Sequence, residues 1–269
     1  MKQIILPGTN LKLSRLIFGT ASLFNVGSKI QRINILEEAI NQGFTHFDTA
    51  PYYGFGLAEK DLSEVLARHP TMTVSSKVGI YSPGSHDQSA WKVLLRKAGG
   101  KILPALSKPT IDFSIARAKD SLEKSLKRLG REKIDLFLLH DPSVDLINAE
   151  EWHAWLSSEV QSGKVGAFGL ALDLPRLDSF LKSSSPLTPV IQLADSVDLK
   201  ESALLDSYNR VPQITYGYLY GAIKRGLALT RDEIIRQALA INHCGSIIVS
   251  TTKLKRIQEF TQMVKRHDS

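Results

Sequence analysis

Four side chains in this sequence have the types and spacing to do acid–base chemistry together: Asp48, Tyr53, Lys77 and His140. Each taken singly has a plainer use. A buried Asp–Lys pair can be structural, a strand-end histidine can satisfy a backbone group, and a loop tyrosine can be packing. Together they describe a specific reaction. A phenol, with a pKa of about 10, is a poor acid at neutral pH. An ammonium such as Lys77 beside it stabilises the phenolate and lowers that value, while Asp48 would orient the lysine through an ion pair. His140 could position a carbonyl oxygen next to the phenol. The set suits protonation of a carbonyl while a hydride arrives at its carbon. No side chain can supply a hydride, so a nicotinamide cofactor is required.

Bringing these residues together takes a scaffold, and the sequence implies one. Short apolar runs rich in β-branched residues alternate with longer stretches of helical periodicity. The candidate strands are LIFG (16–19), THFD (45–48), TVSSK (73–77), IDLFLLH (134–140), VGAFGLAL (165–172), PVIQL (189–193), PQITY (212–216) and SIIVS (246–250). Between them, Ile33, Leu36, Ala39 and Ile40 share one helical face, as do Leu122, Leu126 and Leu129. Such alternation implies a parallel sheet, and eight βα units in about 250 residues imply a closed (β/α)8 TIM barrel. In that fold the C-terminal strand ends face the active site, and Asp48, Lys77 and His140 end the second, third and fourth strands. Ahead of the first strand, KQIILPGTNLKLSRL reads as a β-hairpin around PGTN, placed to close the bottom of the barrel. The longest connection, residues 79–112, follows the third strand, and connections of that length are usually functional. A single domain over residues 1–269 is expected.

One stretch points elsewhere at first sight. FDTAPYYGFGLAEKDL (47–62) has the strand, Gly-x-Gly and helix of a dinucleotide-binding fingerprint, but Glu59 stands where its third glycine belongs.

Composition narrows the class. The 269 residues are 43% hydrophobic and 23% charged, enough apolar material for a large core. The lone Cys244 suits a reducing compartment, and neither a signal peptide nor an apolar run of membrane-spanning length is evident, so a cytoplasmic protein is expected. The net charge of +7 favours anionic partners, although the basic clusters KSLKRLGREK (124–133) and KLKR (253–256) read first as solvated helix ends. No aromatic residues alternate with them and no groove-reading motif is present, which excludes nucleic acid as the working partner. Neither a membrane partner nor a metal site is expected.

FDTAPYYG, SSKVG and LLHDP resemble the aldo-keto reductase family, and the resemblance spans nearly the whole chain, hairpin included. It implies a barrel that reduces carbonyls with NAD(P)H. Asp48, Tyr53, Lys77 and His140 then correspond to the family's catalytic tetrad, with Tyr53 the general acid. Gly54 and Gly56 become turn glycines leading into the second helix, and no glycine fingerprint is needed. The resemblance also implies cofactor contacts. Gln192 matches the glutamine that holds the nicotinamide carboxamide, and Tyr216 the tyrosine that stacks on its ring. The turn Gly217 to Gly221 lies where the pyrophosphate runs. Ala171 and Leu172 replace a Ser-Asn pair that also binds the carboxamide. IIVSTTKLKRIQEF resembles the segment for the adenosine 2′-phosphate, with Ser250, Thr251, Arg256 and Glu259 as its candidate contacts. Arg256 favours NADP(H). Ser250 replaces a lysine common in the family, which leaves NAD(H) as the alternative.

The substrate expected is a small carbonyl compound or sugar. FDTAPYYGFGLAE, SSKVGIY and GLAL look closest to bacterial members that oxidise aldoses at C1. Arg96, Lys97, Lys101 and Lys108 in the long connection suit an anionic substrate, or equally a solvated basic loop. A monomer or weak homo-oligomer is expected. The alternative to an enzyme is a very slow or non-catalytic barrel that binds the cofactor and regulates a partner.

Overall fold

The computed structural model describes residues 1–82 and 109–268. Its central feature is a closed barrel of eight parallel strands. These are β3 (Leu16–Gly19), β4 (His46–Asp48), β5 (Thr73–Val78), β8 (Ile134–His140), β9 (Val165–Leu172), β10 (Val190–Ala194), β11 (Ile214–Tyr216) and β12 (Ser246–Val249). Each coincides with one of the eight expected strands to within two residues at either end. Strands buried on both faces need continuous apolar runs, and sequences such as LIFG and SIIV supply them.

The helices between the strands are α1 (Lys29–Asn41), α2 (Leu57–Arg68), α3 (Ile115–Leu129), α4 (Ala149–Gln161), α5 (Leu174–Lys182), α6 (Tyr218–Lys224), α7 (Arg231–Ile241) and α8 (Leu254–Asp268). Local chemistry sets their starts. Ser28 and Thr230 close capping boxes with Gln31 and Glu233, while Asn148 and Asp173 accept from backbone N–H groups in the first turns of α4 and α5. The expected apolar faces are buried: Ile33, Leu36 and Ala39 on α1, and Leu122, Leu126 and Leu129 on α3, with Ile40 partly buried beside them.

β1 (Gln3–Ile5) and β2 (Lys12–Ser14) form the antiparallel hairpin. Its Leu6 and Leu13 are fully buried in the barrel interior, packed with Ile17, Leu136, Val190 and Ile214. Gln213 ties the turn down by donating from Nε2 to Pro7 O (2.7 Å) and Pro189 O (2.9 Å), at the starts of β10 and β11. The hairpin therefore closes the N-terminal end of the barrel and leaves the C-terminal end open. A feature the sequence did not suggest is a second antiparallel pair, β6 (Ile80–Tyr81) with β7 (Thr110–Ile111), which joins the two ends of the long connection. Arg96, Lys97, Lys101 and Lys108 lie outside the described residues.

Candidate active site

The chain leaves β4 at Asp48, and after Thr49 to Tyr52 it turns sharply through Gly54, Phe55 and Gly56 at φ of +59°, +57° and +87°. Glycine tolerates that left-handed run. A Cβ on Gly54 would also meet Phe24 Cβ at 2.7 Å. The turn starts α2 and carries Tyr53 over the barrel mouth. The two glycines thus serve the turn that places Tyr53, as expected. Glu59 has an equally definite job. It is fully buried, accepts from Ser76 Oγ (2.7 Å) and Arg128 Nε (2.6 Å), and so ties α2 to α3 and to β5 beside Lys77.

Lys77 Nζ donates to both Asp48 carboxylate oxygens at 2.7 Å and to Thr49 O at 3.1 Å. Ser75 Oγ donates to Asp48 Oδ1 at 2.9 Å, and both members of the ion pair are buried. The ammonium lies 4.9 Å from the centre of the Tyr53 ring. The His140 ring meets the Tyr53 ring edge-on, centroids 5.9 Å apart. The four expected residues therefore converge from three strand ends and one turn.

Their protonation states differ from expectation in one respect. The Tyr53 phenol is pushed well above 10 rather than lowered, first by burial and then by the negative charges of Asp48 and Asp141. Burial outweighs the ammonium, whose pull on the phenol is partly offset because Asp48 holds Lys77 with both oxygens. Burial also presses on Lys77, lowering its pKa against the opposing pull of Asp48. His140 falls to about 3 through burial and the nearby Lys77. At neutral pH the pocket therefore holds a protonated phenol and a neutral imidazole, both able to donate to one oxygen.

These shifts have a consequence for stability. His140 and His46 both drop from 6.5 to about 3, chiefly by burial. Below 6.5 the unfolded chain takes up protons that the folded chain refuses, so stability is full above that pH and is lost as pH falls toward 3. Thermal unfolding should show Tm falling by ~5 °C or more between pH 7 and pH 5. A flat Tm over that interval would show that one or both imidazoles are protonated in the folded protein.

The tetrad opens into a cavity of about 430 Å³ at the C-terminal end of the barrel. Gln192, Tyr216, Gly217 and Ser250 line it as well. Strand register explains the grouping, since His140 pairs with Ala171, and Ala171 with Gln192. Gln192 is 3% exposed and its Oε1 has no partner, which leaves a buried acceptor aimed at a missing donor. Ala171 also lines the cavity, while Leu172 is packed into the core. A Cβ on Gly19 would strike Ser250 Oγ at 2.6 Å and Ile248 Cγ2 at 2.7 Å, so only glycine lets the wall close there. The turn after β11 is fixed by Asp195, which accepts from Tyr218 Oη at 2.6 Å and from the Ser196 and Ser202 backbone N–H groups.

Three expected contacts do not line this cavity. Thr251 is buried and accepts from Lys253 N at 3.1 Å, Glu259 pairs with Arg231 at 3.7 Å, and Arg256 lies partly exposed on the first turn of α8. Among the described residues, no hydrogen bond or ion pair engages the Arg256 guanidinium. Sequence reasoning missed Asp141, which lines the cavity directly after His140. Its place beside a strand-end histidine in LLHDP was the available signal. Tyr218 was also missed, and its only signal was the tyrosine-rich turn ITYGYLYG.

Residues 15–216 match the aldo/keto reductase family, and the chain belongs to that family. It is 27% identical over 237 residues to the aldo-keto reductase YhdN of Bacillus subtilis, covering 84% of this chain and 63% of that protein. It is 32% identical over 169 residues to a D-threo-aldose 1-dehydrogenase of a Pseudomonas species, covering 60% and 50%. An L-galactose dehydrogenase of Arabidopsis thaliana is 30% identical over 182 residues, covering 63% and 49%. The chain thus spans between about half and 63% of the length of these relatives. Among solved structures, the holo form of an aldo-keto reductase from Bacillus halodurans superposes with a TM-score of 0.74 at 19% identity, covering 98% of this chain and 91% of that one. A glycerol dehydrogenase from Gluconobacter oxydans gives 0.73 at 20%, covering 99% and 94%. At that identity the likeness is one of fold. No described helix is long and apolar enough to cross a membrane.

Proposed function

We propose that this chain is an NADP(H)-dependent oxidoreductase of the cytoplasm, working as one barrel domain, that exchanges hydride with a carbonyl or alcohol: an aldehyde, a ketone or a sugar at C1. The observation that carries this reading is the convergence of Tyr53 and His140 with the Asp48–Lys77 pair in one cavity.

The residues present fit a nicotinamide nucleotide. The unpartnered Gln192 Oε1 suits a carboxamide N–H, Tyr216 shares the cavity lining with it, and Gly217 at φ +101° keeps the following turn free of side chain. Such a cofactor supplies hydride in reduction and accepts it in oxidation. The chain's own part is the proton. Neutral His140 donates a hydrogen bond that orients the substrate oxygen, and Tyr53 gives that oxygen its proton. As the phenol loses its proton, Lys77 beside the ring offsets the new negative charge, and Asp48 keeps the lysine in place. In oxidation Tyr53 takes the proton back.

The curated relatives support a sugar or other polar carbonyl substrate, since two of them are named as dehydrogenases of sugars. The unengaged guanidinium of Arg256 supports NADP(H), as a bidentate partner for a 2′-phosphate. Arg256→Ala should weaken NADPH binding by roughly 10- to 100-fold and leave NADH nearly unaffected, the usual scale for a hydrogen bond to a charged group. Equal loss for both cofactors, measured by fluorescence titration, would remove Arg256 from that role.

A very slow, regulatory barrel is the second reading, and the apolar Ala171 and Leu172 favour it because they leave Gln192 as the one expected side-chain contact for a carboxamide. Absorbance at 340 nm with NADPH and a reactive aromatic aldehyde separates the two. Steady multiple turnover supports the enzyme. Tight NADPH binding without turnover of aldehydes, ketones or sugars supports the sensor.

A further inference from the structure

Asp141 is the charged group in the cavity that the proton-transfer scheme leaves unused. It follows His140 at the end of β8 and has φ +49°, a conformation that aspartate, asparagine and glycine adopt with least strain. Its backbone N–H donates to Ala171 O at 2.7 Å, so the neighbouring strand fixes the residue there. The residue lines the cavity with Tyr53, His140 and Tyr216, and its charge acts on both tyrosine hydroxyls. Among the described residues no hydrogen bond or ion pair reaches its carboxylate. Arg176, whose charge acts on Asp141, pairs instead with Asp173 at 2.8 Å. Burial and Asp173 raise the Asp141 pKa, against the pull of Arg176 and Lys77.

A half-buried carboxylate without a donor is held at a cost, and groups of that kind in native proteins usually meet a ligand or water. The cavity around it reinforces what that ligand must be. Lys77 is the only cationic side chain among the described residues of the lining, and Asp48 already neutralises it. Among the described residues, the cavity lining thus offers negative charge and no free cation.

We propose that Asp141 is a specificity-determining residue whose carboxylate accepts a hydrogen bond from a substrate hydroxyl near the reacting carbon, so that neutral polyhydroxy carbonyl compounds are preferred and anionic ones are disfavoured. This rests on the oxidoreductase reading above and narrows its substrate class. A hydroxyl gives the carboxylate its missing donor, whereas a phosphate or carboxylate group would face like charge in a partly desolvated site.

The test compares kcat/KM for three aldehydes with NADPH: glyceraldehyde, propanal and glyceraldehyde 3-phosphate. Wild type is run beside Asp141→Gly, which suits the positive φ and removes the carboxylate, and Asp141→Asn, which keeps an acceptor and removes only the charge. Wild type should favour glyceraldehyde over propanal by tenfold or more. Asp141→Gly should cut that ratio about 10-fold or more, mainly through KM, the scale of a hydrogen bond to a charged group. Asp141→Asn should cut it less, yet raise the phosphorylated aldehyde relative to glyceraldehyde. A glyceraldehyde-to-propanal ratio that stays within twofold in Asp141→Gly, or a wild type that prefers the phosphorylated aldehyde, overturns the proposal while leaving the oxidoreductase standing. Wild type that binds NADPH and reduces none of the three overturns both.

Discussion

Lys77→Met should lose turnover and stability together. Methionine fills similar volume, so the change is one of charge. The ammonium now contacts both oxygens of Asp48 and the carbonyl of Thr49, and without it Asp48 keeps only Ser75 Oγ as a side-chain donor. Asp48 is 4% exposed, so a buried carboxylate would be left nearly alone. Breaking one side of a buried pair costs ~3–5 kcal/mol, which denaturant titration would read as a lower midpoint. Turnover should fall by ~10²–10³, because the departing phenol proton would leave a charge with nothing beside it. The double variant Lys77→Met/Asp48→Asn separates the two effects. It removes the stranded charge and should recover most of the stability, while turnover stays low. Single-variant stability within ~0.5 kcal/mol of wild type, the range of an ordinary surface change, would mean that Asp48 and Lys77 are not paired in solution.

Much of this architecture was legible in the residues. The eight strands could be read because buried parallel strands demand uninterrupted apolar runs, and those runs are punctuated by helices whose faces repeat at 3.6 residues. The convergence of Asp48, Lys77 and His140 followed from topology alone, since consecutive strand ends share one rim of a barrel. What stayed hidden depends on burial and on distant partners. Glu59 looked like a defect in a glycine motif until Arg128, 69 positions along the chain, proved to be its partner. The direction of the Tyr53 shift could not be read from a list of neighbours, because burial outweighs the pull of the Asp48-paired Lys77. Asp141 was passed over because its φ of +49°, which accompanies its place in the cavity wall, leaves no mark on sequence periodicity. The β6–β7 pair escaped because two-residue strands carry no pattern.

Tyr53→Phe carries the other large effect. The substitution deletes one hydroxyl and keeps the ring that packs against His140 and lies beneath Lys77. The fold and the cofactor cavity should be preserved, and the half-buried phenol has no ion pair whose loss would strand a charge. What disappears is the proton donor. A positioned general acid is worth ~10²–10⁴ in rate, so the loss should fall on kcat, with NADPH affinity near wild type. A neutral His140 cannot replace it, because an uncharged imidazole can donate a hydrogen bond but is too weak an acid to give up its N–H proton at neutral pH.

The most direct measurement follows absorbance at 340 nm for wild type and Tyr53→Phe side by side, with NADPH and an aromatic aldehyde, and with NADPH affinity measured by fluorescence in the same preparations. The expected result is turnover in wild type, a kcat lower by two to four decades in the variant, and matching affinities. A variant that turns over at near wild-type rate would contradict the assignment of Tyr53 as the proton donor.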